Sequence, residues 1–73
     1  MIHAIEVHRI LLKISDGRNT YITVKDLATE MNVPESQMYD AIETLQNLFL
    51  VNLDPKHQSI ALTPTGALAN ISQ

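Results

Sequence analysis

Two of the three prolines limit what this chain can fold into, because each stands where a new helix can begin and none can run through. Pro34 follows Asn32-Val33, and Pro64 follows Thr63. Proline lacks a backbone donor and clashes with the preceding helical turn, yet it suits the first turn of a new helix. No helix is expected to run through either position, so the chain reads as a series of short elements. Its 73 residues include no cysteine, so no disulfide or thiolate metal site staples those elements together. Stability must come from packing, and from a second chain where one associates. With 45% apolar residues the composition suits a single modest core, and one domain is expected over residues 1–73.

The spacing predicts a first helix from Met1 to about Ile14, with Val7, Ile10, Leu11 and Ile14 on one apolar face. Ser15-Asp16-Gly17 ends it, with Gly17 free to take the left-handed conformation. Arg18-Asn19-Thr20 is a loop, and Tyr21-Ile22 a short strand. Thr23 is the N-cap of a second helix, Val24 to Met31, with Asp26 as a near capping box and Val24, Leu27, Ala28 and Met31 inward. A third helix is expected from about Pro34 to Leu48, burying Met38, Ala41, Ile42, Leu45 and Leu48. Leu50 to Leu53 and Ser59 to Leu62 flank the turn Asp54-Pro55-Lys56-His57-Gln58 as a β-hairpin. Thr63-Pro64 then opens a C-terminal helix through Gly66 to about Ile71. The fold class is mainly α with a small β-hairpin (α+β).

Helix, short strand, helix, turn, helix, hairpin, helix is the order of a winged helix-turn-helix. The sequence resembles that superfamily, in particular short relatives of MarR-like and ArsR-like bacterial transcriptional regulators. Thr23-Val24-Lys25-Asp26-Leu27-Ala28 is similar to the start of the first motif helix, and Met31-Asn32-Val33-Pro34-Glu35-Ser36 to the tight turn after it. Ala41-Ile42-Glu43-Thr44-Leu45 resembles the middle of the recognition helix, and Leu50-Val51 its exit into the wing. Leu62-Thr63-Pro64-Thr65-Gly66 matches the leucine, threonine and glycine that often follow the wing. Together these cover about residues 20–68. The chain departs from the pattern at Phe49, where the family usually has glycine, and in a short wing tip with one lysine.

The resemblance implies duplex DNA as a partner, with the third helix in the major groove and the wing beside it. On that reading Thr23 and Lys25 meet phosphates from the start of the second helix. Ser36 touches a phosphate or base edge, and Gln37 has the bidentate pattern that suits adenine. Lys56 and His57 reach DNA from the hairpin tip, and Arg18 could add a contact from its loop. Charge points the other way. Between Lys25 and Lys56 the thirty residues hold no Lys or Arg but six acids: Asp26, Glu30, Glu35, Asp40, Glu43 and Asp54. DNA affinity rests mainly on neutralised phosphates, and a net charge of −3 gives no general attraction to polyanions. The first expectation is a DNA-binding transcription regulator. The alternative is a winged-helix module that binds protein and not DNA.

The first helix also carries Ile2, Ile5 and Leu12 away from its inward stripe, with His8 close by, and the tail adds Leu68 and Ile71. So small a core is not expected to cover them all. These five residues are expected to form a homodimer or partner surface, since the first and last helices often pair in relatives of this superfamily.

Catalytic chemistry is not expected, nor is any cofactor. His3 and His8 are five apart, about 140° around a helix, and His57 is remote, so no metal site is expected. No nucleophile elbow or glycine-rich loop frames the serines. No apolar run approaches a membrane span, no signal peptide is evident at the start, and the cytoplasm is the expected compartment.

Overall fold

The computed structural model describes residues 3–69. Among them the chain forms α1 (Ala4–Ser15), β1 (Ile22–Thr23), α2 (Val24–Met31), a 3-10 turn (Glu35–Gln37), α3 (Met38–Asn47), β2 (Val51–Asp54), β3 (Ser59–Leu62) and α4 (Pro64–Leu68). Apart from the 3-10 turn, this is the expected order.

Local chemistry explains most boundaries. α1 stops because Asp16 turns left-handed at φ 55° and gives its N–H to the Leu12 carbonyl. Gly17 follows at φ 74°, so two successive residues, not Gly17 alone, make the reversal. The Thr23 hydroxyl oxygen accepts the Asp26 N–H at 3.0 Å, and α2 runs over the expected span. Its last turn is closed by left-handed Asn32, whose N–H reaches the Ala28 and Thr29 carbonyls.

The third helix differs from expectation. Pro34 keeps an extended backbone (ψ 141°) and caps a single tight turn, so the α-helix itself starts at Met38. Ser36 and Gln37 consequently sit on the turn. α4 is also shorter than expected: Ala69 takes an extended conformation, and the helix ends at Leu68. β1 is Ile22–Thr23, not Tyr21-Ile22, and Tyr21 is exposed. β2 is shifted one residue onward.

The strands form one antiparallel sheet in the order β1-β3-β2. Ile60 of β3 faces Ile22 on one side and Leu53 on the other, and Val51 pairs with Leu62. β3 is buried along its whole length. α1 packs on α3, α3 on β2, and α1 on β3. The core joins Val7 and Leu11, Val24 and Leu27, Met38, Ile42 and Leu45, and Ile60 and Leu62.

Helical periodicity gives the direction of a side chain but not the depth of the core beneath it. Ile14 and Leu48, both expected inside, are 42% and 55% exposed; α3 ends at Asn47, so Leu48 no longer follows its inward stripe. His8 is buried instead, with Nε2 2.8 Å from the Gly66 carbonyl oxygen. That contact joins α1 to α4. α4 approaches so closely that a β-carbon on Gly66 would collide with the backbone of Leu50. Thr63 completes the joint: its hydroxyl donates to the Phe49 carbonyl at 2.6 Å, and its oxygen accepts the Gly66 N–H at 2.9 Å.

Candidate functional site

The start of α2 and the tip of the hairpin are tied together. The Val24 N–H donates to the Gln58 carbonyl at 2.8 Å, so the N-terminus of α2 and the end of the turn hold a fixed relation. Within the turn, Asp54 accepts the Lys56 N–H at 3.1 Å through Oδ1. Its Oδ2 lies 2.8 Å from His57 Nδ1. The hydrogen bond from His57 holds the Asp54 carboxyl below its ordinary value. Gln58 closes the turn in the left-handed region at φ 48°.

A cleft of about 250 Å³ opens between these elements, lined by Thr23, Lys25, Glu35, His57 and Gln58. Three of the residues expected to meet DNA thus share one cavity. Lys56 is exposed on the turn beside it, and Ser36 and Gln37 are exposed on the 3-10 turn next to Glu35. All six lie on neighbouring elements. Glu35 lines this cleft too. The Tyr39 hydroxyl donates to its Oε1 at 3.3 Å. Partial burial, and then the Glu35 carboxylate, push the Tyr39 phenol above its ordinary value.

The sequence shows Glu35 and Asp54 only as two of the six acids between Lys25 and Lys56, and Gln58 only as a turn residue, with no sign that they gather at or beside this cleft. The Asp-Pro pair at the turn was the available signal for Asp54, since aspartate often accepts a backbone N–H two residues on. Nothing local marks Glu35, which reaches the cleft through the chain reversal at Pro34.

The outward side of α3 carries exposed Asp40, Glu43, Thr44 and Asn47. Residues 23–58 supply the whole surface of α2, α3 and the hairpin tip, and they hold two lysines, no arginine and six carboxylates. One histidine in the cleft is already engaged by Asp54. Negative charge dominates this surface.

The expected docking residues divide differently. Ile5 is 42% exposed and lines a second cleft, of about 520 Å³, with Ile10, Met31, Arg9, Glu6, Glu30 and His3. Leu68 is 87% exposed at the end of α4. Leu12 is half-buried and packs against the core, so it faces inward more than expected. Ile2 and Ile71 lie outside the described residues.

Phe49 stands where the winged-helix resemblance expects glycine. It takes the conformation a glycine would favour, φ 61°, with its side chain 75% exposed. Among the described residues no group of three His, Asp or Glu side chains is placed to hold a metal ion. No described helix is long and apolar enough to cross a membrane.

Comparison with family models, curated proteins and solved structures returned no match.

Proposed function

We propose that this chain is a winged-helix module that docks a protein partner through the surface made by α3 and its flanking turns. One observation carries this reading: the exposed side of α3 presents Asp40 and Glu43 with no lysine or arginine on the helix. A helix entering a major groove passes between two rows of phosphates, and each unpaired carboxylate there opposes binding. On a protein surface the same acids are an asset, because a basic partner supplies the missing charges and charge complementarity selects it.

The reading predicts the behaviour of a charge-reversed variant. Replacing both acids, Asp40→Lys with Glu43→Lys, should create salt-sensitive binding to a random duplex where the natural chain has none. If the double variant gains no affinity, the acids are not what keeps DNA away, and the argument from charge fails.

A second reading, duplex DNA binding as a transcription regulator, is favoured by a specific observation: Thr23, Lys25 and His57 line one cleft. With Lys56, Ser36 and Gln37 beside it, the arrangement suits a backbone contact at the start of α2 and the wing. Each lysine adds only about 0.9 to the salt slope, so useful affinity needs two copies. Those copies would meet through Ile5 and Leu68, as a homodimer. Under this reading Lys56→Glu weakens binding to every duplex, while Gln37→Ala mainly blurs sequence preference.

A further inference from the structure

We infer that Leu48 and Phe49, at the exit of α3, are a preorganised apolar anchor for a basic amphipathic protein segment, one that presents apolar side chains beside lysine or arginine. The inference rests on the protein-docking reading and names the chemistry of the partner.

The corner is rigid. The Phe49 N–H donates to the Gln46 carbonyl at 2.9 Å, and the Leu50 N–H donates to the Leu45 carbonyl at 2.9 Å. On the other side the Thr63 hydroxyl holds the Phe49 carbonyl, and the Thr63 N–H donates to the Leu50 carbonyl at 3.0 Å. The backbone of Phe49 is therefore fixed in a left-handed state that glycine adopts more easily. Folding gains little from the ring, which is mostly in solvent. A large apolar side chain in a costly conformation, with little packing to show for it, points to work done outside the core.

Leu48 adjoins it and is exposed as well. Single exposed apolar residues are ordinary, but here two are consecutive on a braced corner. Binding energy at protein interfaces concentrates in such preordered aromatic and aliphatic side chains.

Charge decides the occupant. Asp40, Thr44 and Leu48 follow one another at intervals of four along one side of the helix, and Glu43 stands beside them. Thr44 gives its hydroxyl to the Asp40 carbonyl, leaving the Asp40 carboxylate outside that bond. A second copy of this chain docked on the same face would bring Asp40 and Glu43 against their own counterparts, which is repulsive. A segment with apolar side chains beside lysine or arginine satisfies both the apolar corner and the acids.

The test uses the whole chain, ¹⁵N-labelled, and two amphipathic peptides of about 18 residues, long enough to become helical on binding. One alternates leucine with lysine on its two faces, and the other replaces every lysine by glutamate. The lysine peptide should perturb the amide signals of Asp40, Thr44, Leu48 and Phe49 first, and the glutamate peptide should not bind. Phe49→Gly should weaken the lysine peptide by about tenfold or more, the scale of a truncated anchor. That variant relieves the backbone, so loss of folding cannot mimic the effect; thermal melting confirms it.

Absence of binding, perturbations as strong at Asp16, Asp26 and Glu30 as at the corner, or an unchanged affinity in Phe49→Gly would each overturn the anchor. Salt-sensitive binding of a DNA duplex to the unmodified chain would overturn the protein-docking reading beneath it. A scattered peptide response without DNA binding overturns the anchor alone.

Discussion

The carbonyl of Leu50 occupies the space that a β-carbon on Gly66 would need. α4 therefore lies directly on the chain where α3 passes into β2, and Gly66 is the residue that allows the approach. The same residue offers its carbonyl to buried His8 on α1. One glycine thus joins three parts of the fold.

Gly66→Ala should destabilise the protein by about 1–3 kcal/mol or more, because backbone, not a flexible side chain, must give way. Chemical denaturation measures this as a lower midpoint. An unchanged midpoint would mean that α4 does not sit against Leu50 in solution.

Phe49→Gly should act in the opposite direction. A non-glycine residue in the left-handed region costs about 1–2 kcal/mol. Glycine recovers that but loses up to about 1 kcal/mol to its greater freedom when unfolded. The ring contributes little packing to offset the difference. A gain in stability of roughly 0.5–1 kcal/mol follows, visible as a higher melting temperature. A clear loss would show that the ring packs on the fold after all.

Asp54 provides a pH test. Its carboxyl is held below the ordinary value of 3.8, first by the hydrogen bond from His57. A lowered folded value means that the stabilisation is complete above 3.8 and is lost as pH falls from there through the folded value. Carboxyl NMR should find the Asp54 midpoint below 3.8, and His57→Ala should move it upward. An identical midpoint in both proteins would remove the Asp54–His57 bond from the hairpin tip.

Punctuation residues made much of the fold legible in the sequence. Thr23 and Asn32 bound α2 as residue type suggests, and the Asp54–Gln58 turn and Thr63-Pro64 mark the hairpin and the last helix. What was not legible depends on contacts distant in the chain. His8 is buried because α4, some 58 residues away, lies over it. Leu48 is exposed because α3 ends at Asn47, before the inward stripe reaches it. The left-handed state of Phe49 runs against its residue type, and only the bonds from Thr63 and to Gln46 reveal it. At the candidate site, Lys25 and His57 could be guessed from their elements, but the Glu35 carboxylate between those elements could not.

An acidic α3 surface that excludes DNA has a directly measurable consequence. The most direct measurement is fluorescence anisotropy of a random duplex of about 30 base pairs, titrated with the unmodified protein at two salt concentrations. Non-specific DNA binders show dissociation constants of about 10⁻⁴–10⁻⁶ M, rising steeply with salt. The protein should show no salt-sensitive binding across that range. Salt-sensitive micromolar binding, weakened by Lys56→Glu, would contradict that exclusion and place Lys25, Lys56 and His57 on a phosphate backbone.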